Sequence, residues 1–239
     1  MDVWAIIPVK SLPESKGRLA HLLSPGSRAQ LVRNLLNHVL AIVKETTRIT
    51  QVRVVSGDPE VWQIAKSHDA LVVEERLPYG LNSAVSYTYD LAAKGGAGAV
   101  LILPADLPFV TTADINLVID TALGERSVNG TGVSTIKEFA PSLAPAVDPE
   151  QPVMAICSDR RGDGTNALLL RPSLEFDFHY GPKSLQRHIH EALDRDYVVR
   201  LLSPPGLQFD LDTEEDWQMF QEDDRSEPIN NSAIQHFNQ

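Results

Sequence analysis

A 239-residue chain with 21 Lys and Arg against 32 Asp and Glu, a formal charge of −11, lacks the basic surplus of a general nucleic-acid binder. Its 43% hydrophobic content supplies a substantial core for one domain and excludes a natively disordered chain. A single cysteine, Cys157, rules out an internal disulfide, and no run approaches the roughly 20 apolar residues of a membrane span.

The chain opens on "VWAIIPV" (3–9), an apolar run of strand length without alternation, which predicts a strand covered on both faces. With no signal-peptide pattern before it, a cytoplasmic location is expected. The connection that follows carries Lys10, Lys16, Arg18, His21 and Arg28, a cluster of positive charge in an acidic chain. Ligands of open parallel sheets bind beyond the carboxyl ends of the strands, so these cations are placed to meet a polyphosphate. The alternative is a solvated loop. The segment is neither a G-x-x-x-x-G-K-[ST] loop nor a G-x-G-x-x-G turn.

Leu31, Leu35, Val39 and Ile42 recur at helical spacing within 27–45. Strands are predicted at 52–56 ("VRVVS"), 70–75 ("ALVVEE") and 99–105 ("AVLILPA"), with helices at 59–68 and 81–94 between them. Strand alternating with helix predicts a three-layer α/β/α fold with a mostly parallel sheet. Asp106 stands directly after the fourth of these runs, in "LILPADLPF", where a carboxylate can hold Mg²⁺ or can cap a turn.

A helix at about 112–123 precedes an irregular Pro-rich stretch, 125–152. "PVMAICS" and "TNALLLRP" then flank "DRRGDG" as a hairpin or tight loop, and Cys157 reads as a buried structural thiol. Within "GDGTN" (162–166) the glycines admit a close backbone approach and Thr165 offers a hydroxyl to a small anion; a plain Asp-Gly turn is the alternative. In "YGPKSLQRH" (180–188) Pro182 suits the first position of a helix whose free N–H groups attract anions, with Ser184 and His188 on one face. Ordinary punctuation and a surface histidine would read the same.

A helix near 183–194, a strand at 197–203 and a helix at 213–221 complete a domain expected to span 1–221. In "FDLDTEEDW" an extended backbone puts Asp210 and Asp212 on one face, roughly 7 Å apart at Cα, suited to gripping a metal. Asp212 with Glu215 also fits a helix cap, which has no need of Asp210. From Glu222 the chain is polar and aperiodic and reads as a disordered tail, 222–239. A cationic first loop facing separated carboxylates suits nucleotidyl transfer, where metal and cations neutralise a triphosphate.

"IPVK…SKGRLA.LLS…R" (7–28), "GLN.AV" (80–85), "LILPADLP" (101–108), "GDGTNALLL" (162–170), "YGPKSLQRH" (180–188) and "G..FDLDTEED" (206–216) together resemble the guanylyltransferases of deazaflavin coenzyme (factor-420) biosynthesis. That family includes the 2-phospho-L-lactate and phosphoenolpyruvate guanylyltransferases. The resemblance implies a nucleotide-diphospho-sugar transferase-like fold and an Mg²⁺-dependent transfer of GMP from GTP to a three-carbon phospho-acid, with pyrophosphate released. It implies Mg²⁺ at Asp106, Asp210 and Asp212, and the acceptor's carboxylate at Thr165, Gly181 and Ser184. His188 is expected to line the acceptor pocket and Asn82 to lie near the nucleotide. Lys10, Lys16 and Arg18 are assigned to the GTP phosphates on the charge argument, with Lys16, Arg18 and Asp106 as the catalytic set. A homodimer and a downstream transferase that consumes the product are further expectations. The rivals are a 3-phosphoglycerate guanylyltransferase, another nucleotidyltransferase of this fold, and a non-catalytic nucleotide sensor.

Overall fold

Alternation within the first strand, β1 (Val3–Pro8), sets out the layers of the molecule. Val3, Ala5 and Ile7 join one buried apolar cluster while Ile6 joins a second, with Trp4 packed beside it. Both faces of the strand are therefore covered, as an unbroken apolar run demands. The computed structural model describes residues 1–75, 80–124, 134–136, 151–171, 175–226 and 229.

The other strands are β2 (Ile49–Ser56), β3 (Leu71–Glu74), β4 (Ala99–Ile102), β5 (Ser134–Ile136), β6 (Val153–Ser158), β7 (Thr165–Arg171) and β8 (Val198–Leu202). Among the described residues they form, with β1, one eight-stranded sheet in the order β3-β2-β1-β4-β7-β6-β8-β5. β7 pairs antiparallel with both β4 and β6, and β5 antiparallel with β8; the remaining pairings are parallel. The reversal of β7 matters for function. It sets the first residues of that strand, Thr165 and Asn166, at the edge where β1, β4 and β6 end.

Helices α1 (Pro25–Glu45), α2 (Pro59–Ser67) and α4 (Thr112–Leu123) bury apolar residues in the first cluster, while Leu31 and Leu35 of α1 join a third. Helices α3 (Gly80–Lys94) and α5 (Ser184–Asp194) bury theirs in the second. The three-layer mixed α/β architecture is thus present. Local chemistry fixes the helix starts: the Ser24 hydroxyl accepts from the Ser27 N–H ahead of Pro25, and Thr111 with Asp114 forms a reciprocal capping box. No described helix is long and apolar enough to cross a membrane.

The structure departs from the sequence reading in several places. β4 stops at Ile102, short of the expected 105: the Leu103 N–H still donates to the Ile6 carbonyl, but Pro104 has no N–H to continue the ladder. A short strand, β5, lies inside the stretch read as irregular, of which 125–133 and 137–150 fall outside the described residues. The double proline at 204–205 opens a four-residue helix, α6 (Pro205–Gln208).

The final helix, α7 (Glu214–Glu222), runs past the expected boundary at 221, and Asp224–Ser226 form a 3₁₀ turn. Ile229 is buried beside Leu31 and Phe220, and its carbonyl accepts from the Asn34 side chain. Burial of one apolar residue ties down a segment whose composition reads as tail. Residues 230–239 lie outside the described residues.

α6 sits so close to α4 that a Cβ on Gly206 would fall 2.2 Å from Asp114 Oδ2 and 2.5 Å from the Phe109 carbonyl oxygen. Backbone and cap must both shift to admit a methyl group. Gly206→Ala is expected to lower stability by about 1–3 kcal/mol, read as an earlier urea midpoint; an unchanged midpoint would show that this contact relaxes freely.

Candidate active site

The loop after β1 is anchored by two buried leucines, Leu12 and Leu19, and by the Leu12 N–H donating to Asp58 Oδ2 at 2.8 Å. Between them Lys16 takes a left-handed conformation (φ 56°, ψ 36°), which costs a non-glycine residue about 1 kcal/mol or more. That backbone turns the side chain inward, where it is only 6% exposed. Its Nζ lies 2.7 Å from Asp106 Oδ2 and 3.6 Å from Asp212 Oδ1. Burial alone would lower the pKa of this ammonium, but Asp106 and Asp212 outweigh it and raise the value.

Asp106 arrives on the loop after β4, and its carbonyl accepts from the Leu211 N–H at 3.1 Å. That single backbone bond joins the β4 loop to the segment carrying Asp210 and Asp212. Arg18 Nη1 donates to Asp212 Oδ2 at 2.7 Å from a mostly exposed position, so Asp212 bridges two cations. Asp210 is partly buried, and its Oδ1 accepts from Asn166 Nδ2 at 3.2 Å. Burial first, and then the negative charge of Asp106, push its carboxyl up to about 6.

The cap of α7 is one residue later than expected. Thr213, not Asp212, is the N-cap, in a reciprocal box with Asp216. Both placements fit the sequence pattern, and the structure leaves the Asp212 carboxylate free to face Lys16 and Arg18. Asp216 is pinned in turn by Arg160 from the β6–β7 hairpin, at 3.0 Å.

Thr165, Ser184 and His188 form a second cluster. Thr165 Oγ1 lies 3.1 Å from both His188 Nδ1 and Ser184 Oγ. Gly181 precedes it with φ +121°, a conformation L side chains rarely adopt. Asn82 donates from Nδ2 to the Tyr180 carbonyl and accepts at Oδ1 from the Tyr180 N–H, clamping this turn to α3. Its amide is thus committed to positioning the 180–181 turn. Lys10 stays exposed, with no ion pair among the described residues.

The expectation of an anion site at the α5 N-terminus needs correction. Pro182 belongs to the preceding turn, Lys183 is a left-handed N-cap, and Ser184 is the first helical residue. The Lys183 N–H donates to Asp163 Oδ2, the Leu185 N–H to the Asp163 carbonyl, and the Ser184 N–H to the Gly181 carbonyl. Asp163 thus caps the helix from the hairpin and takes two of the N–H groups an anion would have used, the Gly181 carbonyl taking a third. Asp163 and Asn166 were not singled out by sequence; both sit in "GDGTN", where the turn pattern is the only signal.

Thr165 and Asn166 are neighbours on β7, and one serves each cluster, Thr165 with His188 and Asn166 with Asp210. Among the described residues, no three His, Cys, Asp or Glu side chains stand in a metal-holding arrangement. The donor chemistry nevertheless fits a hard divalent cation, since Asp106 and Asp212 offer carboxylate oxygens and already face one cation, the Lys16 ammonium.

A family model for "guanylyl transferase CofC like" proteins matches residues 3–128. The chain is 35% identical over 216 residues to a phosphoenolpyruvate guanylyltransferase of Rubrobacter xylanophilus, covering 90% of this chain and 92% of that one. It is 31% identical to a 2-phospho-L-lactate guanylyltransferase of Methanothermobacter thermautotrophicus, covering 90% and 82%. A crystal structure described as a nucleotide-diphospho-sugar transferase from Desulfovibrio desulfuricans superposes over 99% of both chains with TM-score 0.66 at 14% identity. A nucleotidyl transferase from Methanothermobacter matches with TM-score 0.57 at 15% identity, over 92% of this chain and 96% of that one. The fold is that of these nucleotidyltransferase-like proteins.

Asp210 gives a pH-dependent prediction for the metal-free protein. Its carboxyl titrates near 6 when folded and about 3.9 when unfolded. Between those values the folded state holds more protons, so stability falls as pH rises from about 4 to 6. Asp210→Asn removes the charge while keeping an oxygen for Asn166. It should stabilise the metal-free protein by roughly 1–3 kcal/mol at pH 7 and by little at pH 4, measured by urea unfolding at both values. A loss of stability at pH 7 would contradict this.

Proposed function

Because this chain belongs to the guanylyl transferase CofC-like family, we propose that it transfers GMP from GTP to the phosphate of a three-carbon phospho-acid, releasing pyrophosphate. The observation that carries the proposal is the Lys16 ammonium, drawn between Asp106 and Asp212 at the carboxyl edge of the sheet. Phosphoenolpyruvate is the favoured acceptor, since relatives at 35% and 34% identity are phosphoenolpyruvate guanylyltransferases. The enzyme is read as cytoplasmic and Mg²⁺-dependent, acting in deazaflavin coenzyme biosynthesis as a homodimer, with a partner transferase consuming its product.

In this mechanism a phosphate oxygen of the acceptor, already anionic at neutral pH, attacks the α-phosphorus of GTP. The new P–O bond forms as the bond to pyrophosphate breaks, and no proton need be removed to create the nucleophile. Lys16 and Arg18 lie where their charge would meet the triphosphate and the departing pyrophosphate. A magnesium ion held by Asp106, Asp210 and Asp212 would add charge neutralisation there. Thr165 would hold the acceptor's carboxylate through its hydroxyl, which Ser184 supports by donating to the same oxygen, beside the turn at Gly181. Asn82 would fix that turn, and Lys10 would meet phosphate at the rim of the site.

The test is pyrophosphate release from GTP and Mg²⁺ with phosphoenolpyruvate, 2-phospho-L-lactate and 3-phosphoglycerate in turn, the partner transferase being present to remove product. Release is expected with phosphoenolpyruvate. Asp106→Asn should lower the rate by about 100-fold or more, and Lys16→Ala should lower it comparably. Arg18→Ala should act mainly on the KM for GTP, because Arg18 is mostly exposed. GTP binding without release from any of the three acids would overturn the proposal and favour a nucleotide sensor.

A further inference from the structure

The cluster at Thr165 has a directionality that can be assigned from its heavy atoms. The backbone N–H of His179 can only donate, and it lies 2.8 Å from His188 Nε2. That nitrogen therefore carries no proton, so the ring is neutral and the proton sits on Nδ1. Nδ1–H in turn donates to Thr165 Oγ1 at 3.1 Å. Ser184 Oγ–H donates to the same oxygen, also at 3.1 Å. A hydroxyl oxygen has two lone pairs, and both are now taken. The only remaining function of Thr165 is its own proton, for which the described residues provide no hydrogen-bond acceptor.

The surroundings hold the ring in this state. His188 is fully buried, with Tyr180, Phe176 and Phe178 rings 4.9, 6.2 and 6.4 Å from its own. Burial, then the neighbouring His179 and Arg187, depress its pKa to about 3, with Glu191 opposing weakly. His179 in turn lies between Glu191 Oε2 at 3.3 Å and Arg187 Nη2 at 3.2 Å, so the nearest charged groups form their own exposed-side chain of contacts. None of them reaches the Thr165 hydroxyl.

We propose that His188 is a positioning residue: by filling a lone pair of Thr165 Oγ1, it fixes Thr165 as an obligate hydrogen-bond donor and makes this subsite selective for an accepting oxygen. The identity of that acceptor, a carboxylate oxygen of the phospho-acid, rests on the proposed function; the polarity of the chain does not. A ligand group that can only donate, such as an amide or ammonium N–H, meets at this place an oxygen with no free lone pair, and it is refused without any steric clash.

Two measurements test this. In the free protein, long-range ¹H–¹⁵N correlation should show His188 as the Nδ1–H tautomer, unchanged from pH 5 to pH 8. An Nε2–H tautomer, or titration in that range, would overturn the proposal whatever the protein's reaction. In turnover with GTP and phosphoenolpyruvate, His188→Phe and Thr165→Val should each raise the KM for phosphoenolpyruvate about 10- to 100-fold. The KM for GTP should stay unchanged, and Thr165→Ser should restore most of the loss. The double variant should be no worse than Thr165→Val alone, because both act through one hydrogen bond. Additive losses, or an equal rise in the KM for GTP, would mark His188 as packing and overturn its positioning role. Should the wild-type protein turn over none of the phospho-acids, the proposed function fails, and the tautomer measurement still decides this inference.

Discussion

The candidate active site depends on a buried ammonium ion. Lys16 sits between carboxylates from two other parts of the chain, Asp106 after β4 and Asp212 ahead of α7. Taking an ammonium out of water costs several kcal/mol, and attraction to carboxylates recovers that cost only where they converge on it. Such an arrangement is a poor way to gain stability. The strained left-handed backbone at Lys16 adds to its cost. A feature that disfavours folding twice over, at the ligand-binding edge of a parallel sheet, is best understood as serving the reaction.

That edge is completed by the one central strand running the other way. Because β7 is antiparallel to β4 and β6, its first two residues rather than its last stand beside Asp106. Thr165 faces the cluster on α5 and Asn166 faces Asp210, so a single step along a rigid strand sets the spacing of the two half-sites. The hairpin before β7 contributes as well. By capping α5 with Asp163, it occupies N–H groups at the start of that helix, and on the proposed reading recognition then falls to the Thr165 hydroxyl.

Much of this was legible in the sequence. Strands buried on both faces give unbroken apolar runs, which is why 3–9 and 99–105 stand out, and the positive cluster after the first run is visible by inspection. The partners of that cluster are not. Arg18 and Asp212 are 194 residues apart, and no spacing rule connects them. Capping was ambiguous for a different reason: Asp212–Glu215 and Thr213–Asp216 fit the same four-residue pattern one step apart, and only the backbone chooses. The short helix opened by Pro205 has no signal in the sequence reading, because its close approach to Phe109 and Asp114 depends on Gly206 and on residues far away in sequence. Ile229 was hidden by its polar neighbours; one apolar residue does not shift a composition average, but it can dock a segment.

The charge balance of the site explains how an acidic chain can receive a polyanion. Lys16 and Arg18 face Asp106, Asp210 and Asp212, so the charges balance while Asp210 is protonated and leave one negative charge once it ionises. The free protein therefore presents no strong positive field to attract phosphates indiscriminately. On the proposed reading, a triphosphate draws Lys16 and Arg18 toward itself and leaves the carboxylates uncompensated, while a divalent cation alone meets an ammonium already among them. Each ligand removes the obstacle to the other, so nucleotide and cation bind better together than apart. On that reading, a site arranged in this way uses its internal ion pairs to keep its net charge small when empty and becomes a strong electrostatic site only when both ligands are present.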